Sequence, residues 1–390
     1  MAIIRFRSLS ALIFSLFLLF SGKTLLAQEH AEGQHNEQPA KLDAGKIIID
    51  HVSDAHEFHF LSIPDEHNPH QSHHISLPLP IIIYQPGKGI DMFMSSAFHH
   101  GHDAHAGYRM MSEDYLEHSG LASQKDAKGQ PLYEAGKIYA TDASGNPDRN
   151  IKIYDLSLTK NATQVILALI ILLVLVLSSS KSYKKGSGVA TAPKGFQNAL
   201  ESVITFVRDD VAKPNLGNKY ERYLPFLLTI FFFILINNLF GLIPGSANVS
   251  GNIAFTFLLG IISFIVILFS TNKHFWGHIF NPPVPMWVKP ILVPVEILGI
   301  FTKPFALIIR LFANMLAGHI IILSFISLIF IMAAMKVALG WGTSPLFVLL
   351  AVFIYLLEVL VAFIQAFIFT NLSAVFIGQA FEGGHDDAHH

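Results

Sequence analysis

Apolar positions divide the chain into two unlike parts. Up to about residue 160, short β-like runs recur at Lys46–Ile49, Ile75–Tyr84, Lys137–Ala140 and Ile151–Tyr154, separated by Gly, Pro and Asn. Beyond that point the apolar runs are long and almost uninterrupted. They predict membrane helices over about 162–180, 222–243, 251–271, 290–335 and 345–380. Phe196–Lys213 differs: Phe196, Leu200, Val203, Ile204, Val207 and Val211 share one face, with Glu201, Arg208, Asp209 and Lys213 elsewhere. That is an amphipathic helix, lying on the membrane surface or packed on another subunit's helix. The predicted fold is therefore all-α and polytopic, with five membrane helices and a small β-rich module ahead of them.

The last two apolar runs are too long for upright spans. Ile291 to Ala334 would rise about 66 Å and Leu346 to Phe381 about 54 Å as helices, against a hydrocarbon layer of about 30 Å. Either each breaks in two, or both tilt by about 55–60°. Pro304 offers a kink, but Phe305–Ile331 has no breaker except Gly318. Two long tilted helices are the preferred reading.

Residues 1–27 read as a secretory signal, with Arg5 and Arg7 before the apolar Ala11–Phe20; the rival reading is an uncleaved anchor. Residues 28–160 form the expected exported module. Lys181, Lys184 and Lys185 follow the first membrane run and place its end in the cytoplasm. Residues 161–381 are the membrane domain, and 382–390 a cytoplasmic tail. The two signals give one orientation, with an exported front and a cytoplasmic C-terminus.

Composition sharpens this picture. The chain is 52% hydrophobic and 14% charged, with a net charge of -2, which leaves no basic surface for nucleic acid. Cysteine is absent, so disulfides and thiolate metal centres are excluded. Between Tyr223 and Phe381 the only charged side chains are Lys273, Lys289, Glu296, Lys303, Arg310, Lys336 and Glu358. Ionisable groups inside membrane helices are costly and mark function by default. Arg310 lies between Leu307-Ile308-Ile309 and Leu311-Phe312, too deep to reach an interface easily. Glu296 is about 21 Å away along the helix and cannot pair with it directly.

The string Lys303-Pro304-Phe305, then Arg310-Leu311-Phe312-Ala313-Asn314-Met315-Leu316-Ala317-Gly318-His319, resembles subunit a of the F-type ATP synthase. Asn238-Leu239-Phe240-Gly241-Leu242-Ile243-Pro244, Gly251-Asn252 and Gln365-Ala366-Phe367-Ile368-Phe369 are similar to further motifs of that family. The resemblance covers about 160–380, while the long His-rich front resembles only certain bacterial versions. It implies a proton-channel stator whose last two helices form a tilted hairpin around a rotor. Protons would reach and leave rotor carboxylates by two half-channels, separated by Arg310. It also implies partners: c-ring proteolipid subunits, b-type peripheral stalk subunits, lipids and, indirectly, the catalytic F1 sector. No enzymatic activity of its own and no cofactor are implied.

Helical spacing then orders the remaining residues. His319 lies about 13.5 Å outward of Arg310, and Glu358 about 10.5 Å outward of Gln365. Antiparallel packing can set Arg310 beside Gln365 and His319 near Glu358, giving an exterior proton-handling pair. Relatives carry the acid and the histidine in the opposite order, so the pair looks exchanged. Asn314, one turn beyond Arg310, orients the guanidinium or bridges helices. Gln365 serves the path or joins helices. Glu296 lines the inner half-channel or contacts Lys303.

Fourteen of the 20 histidines fall between His30 and His118. His99-His100-Gly101-His102 with Asp103 and His105, or His70 with His73-His74, could bind a metal; a solvated, pH-sensitive segment is the plainer reading. A metal transporter is the rival function. It should cluster His, Asp and Glu within its spans, whereas here a central Arg would repel a cation.

Overall fold

A computed structural model describes residues 54–64, 72–126, 129–142, 145–184, 195–243, 246–271, 273–282 and 284–382, all within one compact unit, Asp43–His390. The leader 1–27, the run Lys46–Ile49, Lys185, His70, the Pro244-Gly245 turn and the tail beyond Glu382 lie outside the described residues.

The front is built of short strands: β1 (Glu57–Pro64), β2 (Ser72–Pro78), β3 (Pro80–Gln85), β4 (Gly89–Met94), β5 (Ala104–His105), β6 (Tyr108–Met110), β7 (Ile138–Ala140) and β8 (Tyr154–Asp155). Antiparallel pairing gives β1-β2, β4-β3-β8 and β5-β6-β7. The run Ile75–Tyr84, expected as one strand, is two. Pro78 and Pro80 flank Leu79 and cannot donate to a ladder, so the chain changes sheets there. The Leu79 N–H goes instead to the Ser95 hydroxyl at 3.1 Å. Ile81, Ile83, Phe98 and Tyr108 are fully buried and form this module's core. A short helix α1 (Glu113–His118) is capped by Ser112, whose hydroxyl accepts from Tyr115 N.

The strands lead directly into the membrane part. Leu156 N and Leu158 N donate to Ile82 O and Pro80 O, and helix α2 (Lys160–Lys184) starts at once. Its first turn is held by the front module. Lys160 N donates to Ala55 O at 2.8 Å, Asn161 N donates to Asp54 Oδ1 at 3.2 Å, and the Thr159 hydroxyl accepts from Ala162 N. An acidic side chain at a helix N-terminus also complements the helix dipole.

The rest is helical: α3 (Phe196–Phe206), α4 (Tyr220–Gly241), α5 (Ile253–Ser270), α6 (Lys273–Phe280), α7 (Lys289–Met335) and α8 (Val337–Glu382). Among the described residues five helical stretches are long and apolar enough to cross a membrane: α2, Phe196–Gly241, α5, α7 and Val337–Ala380. The chain is thus an all-α membrane protein with small β-sheets at its front, as its sequence pattern predicts.

Three elements depart from expectation. The amphipathic helix continues past Phe206 as a π-helical turn, Val207–Ala212, and its apolar side packs on this chain's own helices, with Val207, Val211 and Ala212 fully buried. Phe196, at the start of that side, is left 67% exposed. The loop after α5 contains the unexpected α6. And α8 begins at Val337, well before the predicted 345, so Lys336 alone separates α7 from α8. Gly340, Gly342 and Pro345 read as breakers in sequence but lie inside the helix. At Gly340 a side chain would meet Ala333 Cβ at 2.6 Å, so glycine lets the two helices close into a hairpin. Pro294 and Pro304 likewise lie inside α7, which runs on through both.

The module's link to α2 has a titratable component. His56 is buried, and its Nε2 faces Asp155 Oδ2 at 3.1 Å. Burial raises the Asp155 carboxyl, but hydrogen bonds from His56 and from the Ser157 hydroxyl and backbone N–H outweigh it and hold the group below its ordinary value. A depressed carboxyl contributes stability above the ordinary carboxylate range, lost as pH falls through its folded value. Asp155→Asn is expected to destabilise the module by about 1 kcal/mol at neutral pH, and to make no difference well below about pH 4. Proteolytic nicking of the 145–159 segment, followed against pH, measures it.

Candidate functional site in the long helical hairpin

The hairpin α7–α8 positions most of the residues singled out in sequence. On α7, Leu307, Ile308, Leu311 and Met315 are buried and fix the inward side. On the opposite side, Arg310 and Asn314 are exposed, with Ala306, Ala313 and Ala317 around them. Among the described residues Arg310 has no ion-pair partner and Asn314 no hydrogen bond. Asn314 therefore neither orients the guanidinium nor bridges helices within this chain.

His319 and Glu358 are brought together. His319 Nδ1 lies 3.4 Å from Glu358 Oε1, with the two side chains 14% and 5% exposed. The contact is an ion-pair distance at the outer limit of hydrogen-bond range. Neither Glu358 oxygen nor His319 Nδ1 has a hydrogen-bond partner among the described residues. Glu358 is the one charged residue of α8 before its last residue, Glu382. It can sit there because residue 318 is glycine: a Cβ at that position would run into the Glu358 carboxylate, lying 2.7 Å from Cγ and Cδ.

The other candidates are spread along the hairpin. Lys303 Nζ donates to Gln379 Oε1 at 3.0 Å and lies over the Phe376 ring. It does not take up Glu296, which is half-buried one to two turns earlier. Between the Lys303–Gln379 and His319–Glu358 contacts, the level of Arg310 falls near Phe369 on α8, about one helical turn from Gln365. Gln365 is buried whereas Arg310 faces out, so the two are offset by about one turn and differ in direction.

Around this hairpin lies a buried polar network that sequence reasoning missed. Gln164 of α2 exchanges two hydrogen bonds with the backbone of Ala247, at 2.7 and 2.8 Å. Asn248 Nδ2 donates to Met315 O, and Asn238 Nδ2 to Ala362 O, both at 3.2 Å. The Ser250 hydroxyl donates to Asn238 Oδ1 at 2.5 Å. The signal available was an amide side chain, Gln164, at the head of an apolar run. Asn238 stood out only through its motif. Asn252 caps α5, accepting from Ala254 N and Phe255 N.

The front histidines do not gather into a metal centre: among the described residues no three His, Asp or Glu side chains stand together as ligands would. His99 pairs with Asp103 at 2.9 Å and His100 with Glu57 at 3.0 Å. His99 and His100 both have positive φ, 44° and 58°, and form a left-handed turn.

These features define a class: a polytopic helical membrane protein with a charge-bearing long hairpin and an appended β module. Residues 162–378 match the family described as ATP synthase A chain, and residues 47–156 match a domain of unknown function. ATP synthase subunit a of Chloroherpeton thalassium is 48% identical over 244 residues, covering 60% of this chain and 71% of that protein. ATP synthase subunit a 2 of Chlorobaculum tepidum is 47% identical, covering 62% and 68%. ATP synthase subunit a of Chlorobium phaeobacteroides is 41% identical over 283 residues, covering 67% and 80%. The chain belongs to the ATP synthase A chain family.

The Gly318 contact can be tested alone. Gly318→Val is expected to lower stability by about 1–3 kcal/mol, because side chains must leave their rotamers or the helices must part. Glu358→Ala in the same chain should remove most of that cost. Thermal unfolding in detergent of the single and double variants checks it.

Proposed function

We propose that this chain conducts protons to and from a rotor through two half-channels, the outer one carrying His319 and Glu358, with Arg310 between the two. Family membership gives the general role, a non-catalytic membrane subunit in the proton transport of ATP synthesis. The observation that carries the finer reading is the contrast along α7. Arg310 is turned outward with no acid among the described residues to pair with, while about 13.5 Å further along the helix His319 meets Glu358 in an enclosed contact.

A permanent cation at membrane depth needs a counter-charge from elsewhere. The small side chains of Ala306, Ala313 and Ala317 allow a partner's helices to approach it closely. A rotor carboxylic acid arriving there would be driven to ionise by the guanidinium, and the resulting anion held. The same fixed charge opposes a free proton crossing directly. At the His319–Glu358 contact, lone pairs free of other partners suit proton acceptance and transfer. Glu296 lies towards the opposite end of α7 and is assigned to the inner half-channel. Asn314 and Gln365 line the path on either side of Arg310.

The length of the hairpin supports the same picture. Its 47 and 46 residues rise about 70 Å each, more than twice the hydrocarbon layer, which favours two helices lying aslant along a rotor. Lys181 and Lys184 at the end of α2 support an exported front module and a cytoplasmic C-terminus in a bacterial inner membrane. The partners under this reading are the c-ring, b-type stalk subunits, lipids and, through them, the F1 sector.

Arg310→Ala is expected to abolish proton-driven ATP synthesis while the complex still assembles. Arg310→Lys should fail nearly as completely, since a compact ammonium with a shiftable pKa replaces a delocalised, permanent charge. Inverted vesicles with matched subunit content give the measurement, and coupled synthesis in Arg310→Ala vesicles would end this account.

A further inference from the structure

The missed polar network has a direction. It begins where the front module grips α2, through Asp54 and Ala55 at residues 160 and 161. One turn on, Gln164 holds both backbone groups of Ala247, its carboxamide donating to the carbonyl and accepting from the N–H. The next residue, Asn248, donates to Met315 O. In an α-helix that carbonyl is also the acceptor for the N–H of residue 319. Asn248 therefore grips the turn of α7 that carries His319. Two residues later the Ser250 hydroxyl donates to Asn238, which donates to Ala362 O, one turn beyond Glu358 on α8. A single segment, residues 247–250, thus reaches both helices beside the His319–Glu358 contact. Gln164 is 3% exposed and Asn248 8%, so their bonds do not compete with bulk water.

We infer that Gln164 and Asn248 are positioning residues for the His319–Glu358 pair. The inference rests on the proposed role of that pair in proton uptake. The physical reason is distance. At 3.4 Å the two side chains stand at the limit beyond which a hydrogen bond fails, so a shift of a few tenths of an ångström decides whether a proton can pass. Close packing at Gly318 sets how near α7 and α8 approach. It does not prevent α7 from rotating or sliding, and the Asn248 bond to Met315 O does. Asn248 is itself fixed because its neighbour Ala247 cannot move without breaking two buried hydrogen bonds to α2. Through α2, the placement of His319 is tied to the exported module.

The test uses the assembled complex in inverted vesicles. Gln164→Leu keeps the size of the side chain and removes both bonds to Ala247. Asn248→Ser keeps an oxygen for the Gly251 N–H but is too short to reach Met315 O. Proton-driven ATP synthesis is measured against the pH of the compartment facing the exported side, at fixed pH on the other. Each variant is expected to slow synthesis about three- to tenfold and to displace the pH profile in the direction that His319→Ala displaces it. Combined with His319→Ala, each should add less than about a further twofold loss, since a positioning residue has nothing left to position. A wild-type profile in both variants at matched assembly, or losses that multiply with that of His319→Ala, would overturn the inference and leave the proton path standing. Undiminished synthesis in both His319→Ala and Glu358→Gln would remove the path, and the inference with it.

Discussion

The arrangement depends on the approach of two helices at Gly318. A glutamate in an apolar helix cannot be left facing hydrocarbon without several kcal/mol of cost, nor can it be enclosed beside a helix that presents a side chain in its way. The glycine resolves both demands. It opens the space the Glu358 carboxylate occupies, and it lets α7 come close enough for His319, the next residue, to meet the acid. Most other features of the hairpin follow from this contact. The single-residue turn at Lys336 and the close passage at Gly340 keep the helices antiparallel over their whole length, so the register set at the turn is still held at Lys303–Gln379.

The two charges of the hairpin are treated in opposite ways. Glu358 is nearly sealed, with His319 as its ion-pair neighbour among the described residues. Arg310 is left open on the outer side of α7 among alanines. A guanidinium cannot lose its proton at any ordinary pH, so it cannot escape the cost of the membrane by becoming neutral; a carboxylic acid can. On the proposed reading the counter-charge that Arg310 needs comes from a rotor subunit, and the open side among the alanines is where it would approach.

Much of this was legible in the residue pattern. Length and apolar runs foretold the five membrane helices and two long final ones, and helical rise put His319 and Glu358 at one depth before any coordinates did. Where the reading failed, the cause was local chemistry whose sign depends on tertiary context. Gly340, Gly342 and Pro345 are breakers by propensity, yet in a helix packed against its partner a glycine permits contact, and α8 runs through Pro345 as α7 runs through Pro294 and Pro304. Pro78 and Pro80 divide the run Ile75–Tyr84, and nothing in the residues told which sheet each half would join. The amide network was invisible for a related reason. Gln164, Asn248 and Ser250 are unremarkable singly, and their partners are largely backbone groups, which carry no sequence signature at all.

The front module is bonded directly to the helical part. Its attachment is not a flexible tether. β8 passes into α2 with four intervening residues, and two backbone N–H groups of the first helical turn are bonded back to Ala55 and Asp54. A helix held at its head transmits displacement along its axis with little loss over one turn, the distance to Gln164. Beyond Gln164 every link is a buried hydrogen bond. Removing one partner of such a bond leaves the other unsatisfied, so the whole series moves together or not at all. The module is therefore joined through buried hydrogen bonds to the helices that carry His319 and Glu358.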